Sequence, residues 1–299
     1  MTDAQSLCWQ NNRIVDAATA TISVLDHGLL YGDGVFEGIR FYRRRPFRLA
    51  AHLQRLIDSA RAIGLSIPLT SDDLSNAITA LIAAFGNDDG YLRLVVTRGA
   101  GPMGLDPSRC ENPQVFIVAS ALQLISTERR LAGAAVIIAA TRRLSADGLD
   151  PRIKSLNYLN HILARMEANH AGADEAILLN SAGRVTEGSA DNVFVVKRGT
   201  LFTPPIYEGA LDGITRGVVI ELAQELELPL REIPIAPYDL HTADEIFLTG
   251  TGAELIPVRQ VDGRPVQHCP GPIFQRIEQA FKVCIERDAE KENEWGHLR

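Results

Sequence analysis

The stretch Arg152-Ile153-Lys154-Ser155-Leu156-Asn157-Tyr158-Leu159-Asn160 lies just past the middle of a 299-residue chain. The chain uses arginine freely but holds only four lysines, Lys154, Lys197, Lys282 and Lys291. A lysine set among Ile, Leu, Asn and Tyr therefore calls for an explanation. At a strand-to-helix junction an ordinary lysine lays its stem along apolar neighbours and reaches water with its ammonium. The alternative is a nucleophilic amine, because a lysine in a partly desolvated pocket loses its charge more readily and condenses with a carbonyl cofactor. Spacing alone favours the first reading, and the residues downstream decide.

Those residues are Asp174-Glu175-Ala176-Ile177-Leu178-Leu179-Asn180, then Gly183-Arg184-Val185-Thr186-Glu187-Gly188-Ser189-Ala190-Asp191-Asn192-Val193-Phe194. The order of Lys, then strand and turn, then Glu followed by small residues and Asn resembles the fold-type IV pyridoxal-phosphate enzymes. That family holds branched-chain aminotransferases, D-amino-acid aminotransferases, aminodeoxychorismate lyases and R-selective amine transaminases. The resemblance runs from about Ser23 to Val258 through several separated motifs.

Composition sets independent bounds. A 299-residue chain can bury a large core and is expected to form two domains, since single cores seldom grow beyond about 250–300 residues. Its 46% hydrophobic and 22% charged content are those of an ordinary globular protein. A net charge of −7 argues against nucleic-acid binding, and Arg43-Arg44-Arg45 reads as a solvated turn or a local anion-attracting patch. Cys8, Cys110, Cys269 and Cys284 are scattered without metal-ligand spacing, so they read as reduced packing residues, and no metal is expected. The start Met1-Thr2-Asp3-Ala4-Gln5 is polar, and no apolar run approaches the roughly 20 residues of a membrane span. The cytoplasm is the expected location.

Along the chain, residues Cys8 to Val24 suggest a hairpin turning at Asn11-Asn12. Asp26 to Arg40 reads as a glycine-rich loop leading into a strand in which Val35, Ile39 and Phe41 alternate. A structural turn is the commoner explanation of such a loop. Amphipathic helices are expected from Phe47 to Leu65 and from about Ser71 to Phe85, followed by a strand from Tyr91 to Gly99. Alternation there puts Tyr91, Arg93 and Val95 on one face. Val115–Ala119 is a further strand, and a helix is expected from Leu156 to His170. Strands 175–180 and 192–197 flank a turn holding Glu187. The segment up to Arg216 precedes a helix reaching about Leu226, and Glu245–Leu255 reads as a strand ending in a small-residue turn. Free backbone N–H groups at the start of the former helix would attract an anion, although simple capping explains the same residues.

The resemblance implies more than the pattern does. It implies a small α+β domain over 1–120, a linker over 121–130, and a larger domain over 131–299 with a β-barrel-like core and flanking helices. Lys154 is implied to hold pyridoxal 5′-phosphate and to act as the catalytic acid–base. Arg55 within His52-Leu53-Gln54-Arg55-Leu56, together with Ile214, Thr215 and Thr251, is implied to bind the phosphate. Tyr158 is implied to meet the phenolic oxygen and Glu187 the pyridine nitrogen. Tyr31, Phe36, Gly38, Arg40 and Gly188 are implied to line the substrate pocket, with Tyr91 and Arg93 binding carboxylates and Thr251-Gly252 the α-carboxylate.

Within the family, Tyr31, Phe36, Gly38, Arg40 and the Tyr91-x-Arg93 pair match branched-chain aminotransferases. The implied substrates are L-leucine, L-isoleucine and L-valine with 2-oxoglutarate. Ala119-Ser120-Ala121-Leu122 departs from the aromatic residues some of those enzymes carry, and Gly252 stands where Ala is common. A D-amino-acid or R-amine transaminase, or an aminodeoxychorismate lyase, would keep the fold. The family also implies a homodimer, with higher homo-oligomers open, in which the Gly101–Pro107 loop reaches the neighbouring subunit.

Overall fold

A computed structural model describes residues 6–121 and 132–296, with side chains described as far as 288. Two compact units emerge. The first comprises Met1–Gln123, Ile153–Asn157 and Ile285–Arg299, and the second Leu124–Arg152 and Tyr158–Cys284. Of the linker expected over 121–130, residues 122–130 lie outside the described residues, as does Leu122 of the departing Ala119–Leu122 stretch.

The first unit is built on a six-stranded sheet in which each neighbouring pair is antiparallel. Its strands are β1 (Leu7–Gln10), β2 (Arg13–Asp16), β3 (Gly34–Tyr42), β4 (Arg45–Pro46), β5 (Gly90–Thr97) and β6 (Gln114–Ser120), in the spatial order β2-β1-β6-β5-β3-β4. The expected turn at Asn11-Asn12 joins β1 to β2, with both residues at positive φ as a tight hairpin requires. A five-residue helix, His27–Tyr31, occupies part of the segment expected to be loop, and Asp26 accepts the Gly28 N–H at its start.

Two helices pack against the sheet. Ser71–Phe85 buries Leu74, Ala77, Ile78, Leu81 and Ile82, an i, i+3, i+4, i+7, i+8 stripe. Its start is fixed by a reciprocal cap, in which Thr70 Oγ1 accepts the Asp73 N–H and Asp73 accepts the Thr70 N–H. Leu49–Ala62 buries Leu53, Leu56 and Ala60 in the same core with Val35, Ile39, Phe41, Leu92, Leu94 and Val96. Period-2 alternation therefore turns Phe36, Gly38 and Arg40 to the opposite face of β3, in register with Val95, Arg93 and Tyr91 of β5.

The second unit holds nine strands: β7 (Ala134–Arg142), β8 (Glu175–Leu179), β9 (Val185–Gly188), β10 (Asn192–Lys197), β11 (Thr200–Thr203), β12 (Leu230–Glu232), β13 (Glu245–Gly250), β14 (Glu254–Val261) and β15 (Arg264–Pro265). The order β12-β11-β10-β13-β14-β7-β8-β9, with β15 on β14, curls into a half-barrel. β7 runs parallel to both β8 and β14, and the helix Leu159–His170 crosses over from β7 to β8. That helix begins three residues later than expected. Glu187, expected in a turn, lies on β9, all four of whose residues are buried. Polar residues on a strand covered on both faces leave no alternation to read. The helix Ile214–Glu225 packs on β13, and the rings of Phe194 and Phe247, paired across β10 and β13, stack 5.1 Å apart.

Replacing Thr70 by Ala removes one arm of the cap, and a loss of about 1 kcal/mol is expected in urea unfolding with an unchanged m-value.

Candidate active site

In the first unit the candidate residues gather on β3, β5 and the helix Leu49–Ala62. Lys154 is pinned to this unit through its backbone. Its N–H donates to Ser59 Oγ at 3.1 Å, its carbonyl accepts the Phe36 N–H at 3.0 Å, and Ser155 bridges to Val35 as a short antiparallel extension. The half-buried Lys154 side chain brings Nζ to 4.7 Å from the Phe36 ring centroid, and the Arg93 guanidinium lies 4.5 Å from that centroid. One aromatic ring thus meets two cations, an arrangement its negative face favours.

Across the ladder, a Cβ on Gly38 would stand 1.9 Å from the Tyr91 hydroxyl, so only glycine lets Tyr91 lie over β3 there. Burial pushes the Tyr91 phenol up, against the opposing pull of Arg93. Arg40 is buried, with its guanidinium 4.9 Å from the Tyr42 ring. Tyr31 ends the short first helix, where its hydroxyl accepts the Gly104 N–H at 3.0 Å and so holds the tip of the Gly101–Pro107 loop.

Arg55 has a partner that the sequence did not suggest. Its Nε and one terminal nitrogen donate to the two Glu37 oxygens at 2.7 and 2.8 Å, and His52 Nδ1 lies 2.7 Å from the same carboxylate. His52, Arg55 and Ser59 recur along one face of the helix, so a single element holds Glu37 and the Lys154 backbone together. Burial by itself would raise the Glu37 carboxyl, but the charge of Arg55 and the hydrogen bonds from His52 and Arg55 outweigh it and hold the group at about 2. Burial lowers His52, which favours the neutral ring donating Nδ1–H to Glu37. The two bonds to one carboxylate fix the plane and direction of the Arg55 guanidinium.

In the second unit Glu187 is the hub. Its Oε1 accepts from Arg143 Nε at 2.7 Å and faces His161 Nε2 at 3.5 Å, while its Oε2 accepts the Leu211 N–H at 2.9 Å. Burial opposes ionisation, yet the His161 contact and the Arg143 charge draw the Glu187 carboxyl below its ordinary value. Tyr158, just before the helix, stacks on His161 with ring centroids 4.4 Å apart. Gly188 follows on β9, where its N–H donates to the Asp191 carbonyl.

Ile214 and Thr215 open a helix whose N-cap, Gly213, offers no side-chain acceptor to the first N–H groups. Thr251 and Gly252 form the turn between β13 and β14. Thr249 Oγ1, at the end of β13, is buried with no hydrogen-bond partner among the described residues. Glu37, Arg143, His161 and Thr249 escaped the sequence reading, and His52 entered it only as part of the Arg55 motif. A Glu inside the apolar strand Val35–Phe41 was a usable signal for the first, whereas nothing local marks Arg143.

The family model for amino-transferase class IV matches residues 34–261. A Methanocaldococcus jannaschii protein, itself named only provisionally as a branched-chain-amino-acid aminotransferase, is 47% identical over 273 residues, spanning 91% of this chain and 94% of its own. The solved branched-chain aminotransferase of Thermoproteus uzoniensis with norvaline superposes with a TM-score of 0.88 at 39% identity, covering 97% of each chain. That of Thermobaculum terrenum in its PLP form gives 0.85 at 32%, covering 98% of each. The curled sheet is thus that of a pyridoxal-phosphate transaminase fold. The chain belongs to the class IV amino-transferase family.

The depressed Glu37 carboxyl makes stability pH-dependent. A group held from 4.5 down to about 2 by folding contributes about 3 kcal/mol above its unfolded value, and that contribution disappears as pH falls from about 4.5 to about 2. Chemical unfolding of the wild type across that window should show the loss. Glu37→Gln should be less stable at neutral pH and flatter between pH 4.5 and 2.

Proposed function

We propose that this chain is a pyridoxal-phosphate-dependent transaminase of branched-chain L-amino acids, moving the amino group of leucine, isoleucine or valine to 2-oxoglutarate. The observation that carries the proposal is the buried Glu187 carboxylate, held ionised by Arg143 with acceptor capacity to spare, in a chain that also presents an amine at Lys154. The donor set fits the cofactor's chemistry. Arg55 and the uncapped N–H groups of the Ile214–Glu225 helix suit a phosphate dianion, and Thr249 is an orphaned hydroxyl at the end of the neighbouring strand. The relatives named above support the substrate class.

Pyridoxal phosphate, when bound, supplies a carbonyl for the substrate amine and a ring that accepts electrons. Lys154 Nζ would hold it covalently until the substrate amine takes its place, and the freed amine would then remove the proton from the substrate Cα and return it as the general acid. Glu187 would keep a proton on the ring nitrogen. Tyr158 would hydrogen-bond the phenolic oxygen, and Arg55, Ile214, Thr215 and Thr251 would hold the phosphate. Tyr91 and Arg93 receive substrate carboxylate, the arginine serving the side-chain carboxylate of glutamate, and Thr251-Gly252 receives the α-carboxylate. Tyr31, Phe36, Gly38, Arg40 and Gly188 shape the pocket. Apolar walls separate one methylene from another only weakly, so activity extends across the three branched side chains.

A homodimer in the cytoplasm belongs to the same reading. Leu159, Ile162, Leu163 and Met166 form an exposed apolar stripe on one helix, suited to a second copy of the chain. The four cysteines are unpaired with one another. No helix among the described residues is long and apolar enough to cross a membrane. Sedimentation should give twice the chain mass, and a catalytically competent monomer would refute the dimer.

Two measurements test the chemistry. Lys154→Ala should lower turnover by at least about a thousandfold, and surviving activity would exclude the assigned role. Titrating the loaded wild type with L-leucine should shift the cofactor absorbance, and 2-oxoglutarate should reverse the shift. Conversion by D-alanine or an R-amine alone would overturn the substrate reading while leaving the cofactor assignment in place.

A further inference from the structure

Resting on the reading that Glu187 meets a pyridine nitrogen, we infer that Arg143 and His161 are positioning residues for the reaction, fixing the Glu187 carboxylate so that its open acceptor position lies on Oε2 and faces the ring nitrogen.

The argument is one of acceptor capacity. An ionised carboxylate has about four lone-pair positions. Arg143 Nε and His161 Nε2 both address Oε1, at 2.7 and 3.5 Å, whereas Oε2 has the Leu211 N–H at 2.9 Å. The fourth position therefore belongs to Oε2, and one donor is what a protonated ring nitrogen brings. Had His161 addressed Oε2 instead, the open position would lie on Oε1.

Each donor is itself fixed. Arg143 is buried just past β7, and its own N–H donates to the Leu179 carbonyl at 2.8 Å, so the guanidinium is aimed from an anchored backbone. His161 is buried in the first turn of its helix and held flat against Tyr158. Leu211 N–H is delivered by a loop that turns at Gly209, whose φ of 110° lies in the left-handed region that favours glycine. Three separate segments thus converge on one carboxylate.

The His161 ring also joins two assigned contacts, being stacked on Tyr158 and aimed at Glu187. Its Nδ1 is buried without a partner among the described residues. Burying an imidazole with an unmatched nitrogen costs free energy, so the ring is placed for its contacts at Nε2 and its face and not for its full hydrogen-bonding capacity.

The test compares two ligands on the cofactor-free protein: pyridoxal phosphate, and 1-deazapyridoxal phosphate, in which a C–H replaces the ring nitrogen. Binding is followed by equilibrium titration, so turnover is not the readout. His161→Phe keeps a flat ring on Tyr158 and removes the Nε2 donor, Arg143→Gln removes the charge, and Arg143→Lys keeps it. His161→Phe and Arg143→Gln should each weaken pyridoxal phosphate binding by about tenfold or more while leaving the deaza analogue within about twofold, and Arg143→Lys should recover part of the loss. Equal losses for both ligands, or no loss for either, would overturn the inference. If wild type itself shows no preference for pyridoxal phosphate over the deaza analogue, the Glu187 reading falls and the inference with it. Failure of the inference alone looks different, with the wild-type preference intact and the variants retaining it. Should Arg143→Gln not fold, His161→Phe and Arg143→Lys carry the comparison.

Discussion

A carboxylate withdrawn from water loses several kcal/mol of solvation unless a cation and directed donors replace what the solvent supplied. Both clusters of candidate residues are solutions to that constraint. Glu187 meets it with Arg143, His161 and the Leu211 N–H, and Glu37 meets it with Arg55 and His52. In each case the arrangement that keeps the acid ionised also immobilises it. A buried, ionised and oriented carboxylate can hold a proton on a heterocycle, and a guanidinium paired with such a carboxylate is itself held in one direction.

The strands make this orientation durable. Glu37 and Glu187 both project from β-strands in sheet interiors, and their partners come from helices, strand ends and turns packed on those sheets. Lys154 borrows the same rigidity through its peptide, pinned to Ser59 and Phe36 as an added edge of β3. Loops supply the contacts for which backbone N–H groups suffice, as at Leu211 and at the start of the Ile214–Glu225 helix.

Legibility in the sequence followed physical range. The helix Ser71–Phe85, expected from about Ser71 to Phe85, was readable because its apolar stripe is local. Alternation in Tyr91–Thr97 was readable because one face of β5 meets a core and the other does not. By contrast β7, parallel to both neighbours, showed no usable period, and Glu187 was assigned to a turn because its strand is covered on both faces. The short helix at His27–Tyr31 hid within a glycine-rich loop whose capping Asp26 reads equally well as a turn residue.

The sequence by itself determined the residue types and spacing that carry the chemistry: one lysine in an unusual setting, a downstream Glu before small residues and Asn, and a Tyr-x-Arg pair on one strand face. Those follow from covalent order, side-chain chemistry and resemblance to a family. Tertiary structure alone decided which groups neutralise which. Arg143 and Glu187 are 44 residues apart, and Arg55 and Glu37 are 18 apart. Pairing over such separations depends on chain folding, and no local period or motif encodes which arginine will reach a given buried acid.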